Sequence, residues 1–172
     1  MMSIGRFYAG VGALIWHPGT ARYLFLRRAG SKDFGAGAWE CVTGRVDQGE
    51  GFEEALYREV REELGVAVVA DFLVGTTHFY RGAPRPEDEL LGLVYCCTLD
   101  NPAAILLSAE HEEARWLSAA EARALLGGEA QNGWLLRVLV RAERLRQQLP
   151  PALLACFRAE GFDVNGDRLP AG

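Results

Sequence analysis

The stretch that decides the fold runs from Gly44 to Val66 and reads GRVDQGEGFEEALYREVREELGV. Its second half is rich in Glu, Leu, Arg and Ala, which are strong helix formers, and Gly65 is a typical residue at a helix end. The spacing therefore predicts a helix over 52–64. The apolar positions of that helix share one stripe, formed by Leu56, Val60 and Leu64. We expect this stripe to pack on a sheet.

A second face of the predicted helix carries acidic residues one turn apart, namely Glu59, Glu62 and Glu63. At about 100° per residue, these carboxylates fall within an arc of about 100°. Like charges at this spacing destabilise a helix, so the three acids need either solvent or a cation. A solvated face is the usual explanation for an isolated run of charges. Clustered carboxylates also suit hard divalent ions, Mg²⁺ foremost and Mn²⁺ as the alternative.

The flanking residues separate these two interpretations. The segment resembles the Nudix box, G-x5-E-x7-R-E-U-x-E-E-x-G-U, in which U is an aliphatic residue. All constrained positions are filled as that pattern requires, by Gly44, Glu50, Arg58, Glu59, Val60, Glu62, Glu63, Gly65 and Val66. So many constrained positions at fixed spacing make the match highly specific. The chain is therefore identified as a member of the Nudix hydrolase family.

The resemblance implies a role for each residue of the box. The implied metal ligands are Gly44, through its carbonyl, together with Glu59, Glu62 and Glu63. Gly44 would also allow the backbone to turn tightly. Glu50 and Arg58 would form a pair that fixes the loop against the helix without touching the substrate.

The implied reaction is the attack of water on phosphorus, which splits a pyrophosphate link. Bound cations neutralise the charge on the phosphate, and a carboxylate must take a proton from the water. The resemblance leaves the identity of this general base open. The candidates are Glu59 and Glu62 in the box, and Glu112 and Glu113 downstream, with Glu62 and Glu113 ranked first.

Residues outside the helix bear on the substrate. Val42-Thr43-Gly44 stands where most family members have Pro-Gly-Gly, and the segment is similar to that of members acting on nucleoside triphosphates and dihydroneopterin triphosphate. Arg27 and Arg28 are candidates for phosphate contact, because arginine forks bind phosphate oxygens, although a solvated strand end explains them equally well. Trp39 is a candidate for stacking on a base, although a single tryptophan more often belongs to the core.

Strands and helices alternate along the rest of the chain. Strand patterns cover 6–16, 23–26, 66–80, 90–99 and 113–117, and a short apolar stretch covers 39–43. Helical patterns cover 118–126, 134–149 and a segment ending at 160. This order predicts a mixed sheet with helices on both faces. The resemblance implies the Nudix fold, an α/β/α sandwich of this kind.

We expect a single domain over 1–160 and a C-terminal tail, 161–172, that carries only weak signals. The apolar helix at 134–149 is expected to pack on the sheet, with a homodimer interface as the alternative. His111 is expected in a surface loop.

Composition narrows the classes of partner and compartment. The formal net charge of −5 disfavours a sequence-independent nucleic-acid binder. It does not exclude a nucleotide, because a bound metal reverses the local field. The cysteines show no zinc-binding spacing and are expected to be reduced thiols in a cytoplasmic protein. Neither a signal peptide nor a membrane span is expected.

The main hypothesis is a Mg²⁺-dependent Nudix pyrophosphohydrolase that acts on a nucleoside triphosphate-like substrate, either a nucleotide or a pterin phosphate. One alternative is a hydrolase of ADP-ribose or of a dinucleoside polyphosphate. The other is a non-catalytic module that senses nucleotides. Loss of the box acids would mark such a module, and this chain retains all of them.

Overall fold

The computed structural model describes residues 5–30 and 35–164. Within these residues, strands and helices alternate as the sequence predicts. The strands are β1 (Tyr8–His17), β2 (Arg22–Arg28), β3 (Trp39–Glu40), β4 (Val42–Arg45), β5 (Val69–Tyr80), β6 (Glu89–Thr98) and β7 (His111–Leu117). The α-helices are α1 (Phe52–Leu64), α2 (Ala119–Leu126), α3 (Gly133–Gln148) and α4 (Pro151–Glu160).

The strands form one mixed sheet with β1 near its centre. β1 runs parallel to β6, from the pair Tyr8 and Leu90 to the pair Trp16 and Thr98. The other edge of β1 is shared by β2 and β4, both antiparallel to it. β5 lies outside β6, and β2 continues the sheet to β3 and β7. All of these pairs except the one between β1 and β6 are antiparallel.

A helical layer covers each face of this sheet. On one face, the predicted stripe of α1 is buried in a cluster with residues of β1, which confirms that it packs on the sheet. On the other face, Leu135 and Leu139 of α3 are buried against Leu14 and Phe72. The fold is therefore the predicted α/β/α sandwich, and the apolar face of α3 serves the core.

Local sequence sets the ends of the helices. α1 begins after Gly51, whose N–H donates to the Glu54 carboxylate at 2.8 Å. It ends at Gly65, which has the left-handed φ of 67° that glycine adopts without strain. The predicted capping box of α2 is present, because the Glu121 N–H donates to Ser118 Oγ at 3.3 Å.

The structure adds detail to two segments. The short apolar stretch at 39–43 contributes to two strands, because β3 pairs with β2 whereas β4 pairs with β1. The first residues of the predicted tail contact the domain, since the Phe162 ring lies 5.3 Å from that of Tyr95. The Phe162 N–H also donates to Glu53 of α1 at 2.6 Å. The rest of the predicted tail, 165–172, lies outside the described residues.

Membrane insertion through a helix can be checked on the described part of the chain. None of its helices combines the length and the apolar character that crossing a bilayer requires.

Candidate active site

Helix α1 presents its three acids to different environments. The Glu59 and Glu63 side chains are 14% and 7% exposed, whereas that of Glu62 is 59% exposed. Glu59 lies directly over Gly44 of β4. A Cβ atom at position 44 would stand 1.8 Å from Glu59 Cδ, so only glycine leaves room for this carboxylate. Gly44 is thus required by the space it leaves for an acid, and its φ is not among the positive values of this backbone.

Arg58 ties the loop of the box to the helix. Its guanidinium donates to both oxygens of Glu50, at 2.8 and 2.9 Å, which confirms the predicted pair. These hydrogen bonds lower the pKa of Glu50 to about 2, and the same contacts raise the pKa of Arg58. Arg58 also donates to the Arg45 carbonyl at 2.8 Å, to Glu59 at 2.8 Å and to Glu62 at 3.3 Å. One cation therefore faces two of the predicted metal ligands.

Glu63 lies in a different environment, deep beneath the helix. Its Oε2 is buried and has no hydrogen-bond partner among residues 5–30 and 35–164. Burial, and after it the carboxylates of Glu40, Glu59 and Glu110, raise its pKa to about 9. A buried carboxylate among like charges is destabilised in its ionised form, and a nearby cation would remove that penalty.

Sequence reasoning missed the residues that surround Glu63. Glu40 of β3 accepts hydrogen bonds from Arg28 at 3.0 Å and from His111 Nε2 at 2.9 Å. The same His111 nitrogen lies 3.7 Å from Glu63 Oε2. His111 thus joins the buried acids of β3 and α1.

The expectation that His111 lies in a surface loop was wrong. Its side chain is 1% exposed, because it opens β7 beside Arg28 at an irregularity in the pairing of β2 and β7. Glu40 and His111 are 71 positions apart, so no local spacing could have joined them. The available hint was a glutamate inside the short apolar stretch after Trp39.

The remaining predicted site residues divide between the two faces of the sheet. In the register, Arg27 of β2 lies opposite Glu113 on one side, and residues opposite each other in a sheet point to the same face. Leu26, the next residue along β2, belongs to the core beneath α1. Arg27 and Glu113 therefore face away from α1, whereas Arg28 reaches the acids. The structure does not bring Glu113 to the box acids, which favours the box residues as the general base.

Trp39 also lies on the face away from α1, opposite Arg27 in the pairing of β2 and β3. The Arg115 guanidinium lies 4.9 Å from the centre of its ring. One surface of the indole is thus already covered by a cation, and Trp39 packs with the core beneath α3.

The fit of these residues to the divalent cation that the sequence predicts rests on their chemistry. Among the described residues, no three His, Cys, Asp or Glu side chains already form a group able to hold a metal ion. The residues nevertheless suit a hard cation. Glu63 has an unpartnered buried oxygen, and the carboxylate of Glu59 fills the space that Gly44 leaves beside it.

Comparison with known proteins agrees with this architecture. A family model described as NUDIX domain matches residues 6–138. The dihydroneopterin triphosphate diphosphatase of Escherichia coli is 33% identical over 124 residues, which is 65% of this chain and 79% of that protein. Nucleoside triphosphatase NudI of Salmonella schwarzengrund is 29% identical over 106 residues, which is 58% of this chain and 74% of that protein.

Solved structures show the same arrangement. A MutT protein from Methanosarcina mazei superposes with a TM-score of 0.67 at 26% identity, over 86% of this chain and all (100%) of that one. The Escherichia coli dihydroneopterin triphosphate pyrophosphohydrolase superposes with a TM-score of 0.57 at 26% identity, over 78% of this chain and 95% of that one.

Proposed function

The chain belongs to the NUDIX domain family and is a Nudix hydrolase, and we propose that it is a Mg²⁺-dependent pyrophosphohydrolase of a nucleoside triphosphate-like substrate. One observation carries the proposal. The box is complete, and it delivers a buried carboxylate, Glu63, that has an unpartnered oxygen and like charges around it. Such an arrangement is costly for the fold alone and is useful for holding a cation that binds phosphate.

The proposed substrates are nucleoside triphosphates and dihydroneopterin triphosphate. The names of two relatives support this class, since one is a dihydroneopterin triphosphate diphosphatase and the other a nucleoside triphosphatase. The Val42-Thr43-Gly44 segment is a second, weaker support. ADP-ribose and dinucleoside polyphosphates are the alternative substrates to be tested beside them.

Each residue of the site has a proposed task. Glu59, Glu62, Glu63 and the Gly44 carbonyl would hold Mg²⁺, with Mn²⁺ as the alternative. When bound, Mg²⁺ supplies the positive charge that offsets the phosphate oxygens and lowers the pKa of the attacking water. Arg58 keeps the loop and the helix in register through Glu50.

The general base is proposed to be Glu62 or Glu59, and the structure favours Glu62 on accessibility. The Glu62 side chain is 59% exposed and can release its proton to solvent after each cycle. Burial raises the pKa of Glu59, and Arg58 offsets part of that shift.

Three further expectations complete the proposal. The protein would act in the cytoplasm on small molecules. It would not bind nucleic acid through charge, because its formal net charge is −5. A homodimer is the alternative assembly, to be checked by light scattering, since the apolar face of α3 packs in the core.

The test is a substrate panel at saturating Mg²⁺, in which both phosphate and pyrophosphate release are followed. The panel contains nucleoside triphosphates, dihydroneopterin triphosphate, dinucleoside polyphosphates and ADP-ribose. We expect turnover of a triphosphate, its loss on chelation of the metal, and a fall of about 100-fold or more in Glu63→Gln and in Glu59→Gln. The matched control is Glu129→Gln, which removes an exposed acid away from α1.

Two results would contradict the proposal. Turnover of no phosphorylated compound with any divalent metal would favour the sensing module. Rates like those of the original protein in both α1 variants would remove Glu59 and Glu63 from the metal site.

A further inference from the structure

His111 lies where three elements that are distant in the sequence meet. It opens β7, and its Nε2 lies 2.9 Å from Glu40 Oε1 of β3. The same nitrogen lies 3.7 Å from Glu63 Oε2 of α1. The His111 and Glu63 side chains are buried, and that of Glu40 is half-buried. The imidazole is therefore enclosed between an acid of the sheet and an acid of the box.

Backbone hydrogen bonds fix the position from which His111 reaches Glu63. The Ser108 N–H donates to the Glu63 carbonyl at 2.9 Å, so the segment before β7 is attached to the last turn of α1. The His111 N–H donates to the Ser108 carbonyl at 3.2 Å. The Ala29 N–H donates to the Glu110 carbonyl at 2.9 Å, which ties the same segment to the end of β2. The imidazole is thus carried by a backbone that is bonded to α1 itself.

The two contacts of His111 Nε2 differ in kind. The distance of 2.9 Å to Glu40 is that of a hydrogen bond, and this bond fixes the orientation of the ring. The distance of 3.7 Å to Glu63 is too long for a hydrogen bond, so the ring restricts that carboxylate without engaging its oxygen. Glu63 is held in place and yet keeps an oxygen for another ligand.

Glu40, which anchors the ring, is itself compensated. Arg28 Nη1 donates to both of its oxygens at 3.0 Å, and the Thr43 hydroxyl donates to Oε2 at 3.5 Å. A carboxylate with these partners competes poorly for a cation, because binding the ion would cost it an ion pair. The contacts therefore leave Glu63 as the acid of this group that is open to a metal.

We propose that His111 is a positioning residue, which is anchored by Glu40 and holds the Glu63 carboxylate in place for Mg²⁺. This inference rests on the proposed function, because it takes Glu63 to be a metal ligand. Groups behind the direct ligands of a metal orient those ligands, and losing one typically weakens metal binding by about 10- to 100-fold. Because the fold has already restricted the Glu63 side chain, less conformational entropy is lost when the ion binds.

The test follows the binding of Mn²⁺ by electron paramagnetic resonance, without substrate or turnover, since Mn²⁺ favours the same oxygen ligands as Mg²⁺. It compares His111→Gln with His111→Asn, which carry the same amide on side chains of different length. The Gln amide can reach the position of Nε2, whereas the Asn amide is too short. We expect Mn²⁺ affinity to stay within about threefold of the original in His111→Gln and to fall by about tenfold or more in His111→Asn. His78→Asn alters an exposed histidine 2.9 Å from Glu89 and should leave the affinity unchanged.

Two measurements separate positioning from a purely structural role. Urea unfolding in EDTA measures what each substitution costs the fold. If both His111 variants lose the same affinity and the same stability, His111 serves packing alone and the proposal is overturned. In a Glu63→Gln background, His111→Asn should have no further effect on Mn²⁺ binding, because the imidazole acts through that carboxylate. An equal loss in both backgrounds would also overturn it.

A second pair of variants tests the anchor and applies even if His111→Asn does not fold. Glu40→Gln and Glu40→Ala remove the same charge, but only Glu40→Gln keeps a side chain that can hydrogen bond to the ring. We expect Mn²⁺ to bind about tenfold more weakly to Glu40→Ala than to Glu40→Gln. Equal affinities would refute the positioning role.

The outcomes distinguish this inference from the proposed function. If triphosphates are hydrolysed but Mn²⁺ binds equally to His111→Asn and to the original protein, the positioning role is refuted and the enzyme stands. If nothing is hydrolysed but Mn²⁺ affinity falls in His111→Asn and is kept in His111→Gln, the positioning role stands without the reaction. Absence of Mn²⁺ binding by the original protein refutes the positioning role.

Discussion

Two buried carboxylates, one from each face of the sheet, are treated by this fold in opposite ways. Asp71 of β5 is fully buried, and cations or hydroxyls meet both of its oxygens. Arg158 donates to Oδ1 at 2.8 Å, whereas Arg146 and Thr98 donate to Oδ2 at 3.0 and 2.7 Å. Glu63 of α1 has an oxygen without a partner and three carboxylates nearby.

The difference separates an acid that serves the fold from one that serves the site. A buried charge stabilises a structure only when its partners compensate the loss of water, and Asp71 has these partners. Glu63 lacks such partners among the described residues, which supports the proposal that a bound cation compensates its ionised form. An unsatisfied buried acid is therefore more informative about function than a satisfied one.

The largest expected effect on stability comes from removing the negative charge of Asp71, the acid whose oxygens both have partners. Asp71→Asn leaves Arg146 and Arg158 without their anion, and we expect the free energy of unfolding to fall by about 3 kcal/mol or more. Urea denaturation measures this loss. Glu87→Gln, which removes an exposed acid 3.8 Å from the exposed Arg85, is the control and should change stability by less than about 0.5 kcal/mol. A loss below about 1 kcal/mol for Asp71→Asn would show that its pairs do little for the fold.

The next largest effect concerns Glu63 and the way in which the stability of the protein depends on pH. Burial and the neighbouring carboxylates raise the pKa of Glu63 from its ordinary value of 4.5 to about 9, so the folded state holds the proton more tightly between these values. Its contribution to stability is thus complete at acid pH and is lost as the pH rises towards 9. We expect metal-free protein to lose about 1 kcal/mol per pH unit relative to Glu63→Gln, between about pH 6 and about pH 8.

This pH dependence is checked by urea unfolding of both proteins in EDTA. Added Mg²⁺ should flatten the difference and release a proton, which calorimetry detects by comparing buffers with different ionisation enthalpies. Identical pH profiles for the two proteins would mean that Glu63 is ionised and solvated in the absence of metal.

A smaller effect tests whether the site depends on space as well as on charge. In Gly44→Ala the new methyl group would occupy the position of the Glu59 carboxylate, at 1.8 Å from Cδ. We expect a loss of about 1 to 2 kcal/mol in unfolding free energy and weaker Mg²⁺ binding. Gly128→Ala is the matched control, because nothing lies within 4 Å of a Cβ atom there. Unchanged metal affinity in Gly44→Ala would show that Glu59 can bind from another position.

The smallest effect is expected from the other face of the sheet. Glu113 lies beside Arg27, away from α1, so Glu113→Gln should change kcat by less than about threefold. Loss of a general base typically costs about 100-fold or more. A fall of that size would return the proton-transfer role to Glu113, and it would require a movement that brings β7 to the acids.

The sequence predicts those features that are set by neighbouring residues. The bounds of α1, its buried stripe and the capping box at Ser118 all follow from spacing within a few turns, and the structure confirms them. The Nudix box could be recognised for the same reason, since its constrained positions lie within one short segment.

What could not be predicted depends on pairing between distant strands. The division at Cys41 arises because β3 and β4 choose different partners, and the burial of His111 arises from the register of β7 against β2. The same register places Arg27 on the face away from α1 and lets Arg28 reach the acids. Gly44 is a related case, because the contact that requires a glycine comes from Glu59 on a different element.

The family match ends at residue 138, and the chain beyond it contacts the matched part at two places. Arg146 and Arg158 pair with Asp71, and the Phe162 N–H donates to Glu53 in the first turn of α1. The C-terminal extension is thus a brace for the helix that carries the acids. We expect a product shortened before Phe162 to lose this contact and to hold α1 less firmly, although every residue of the box would be unchanged.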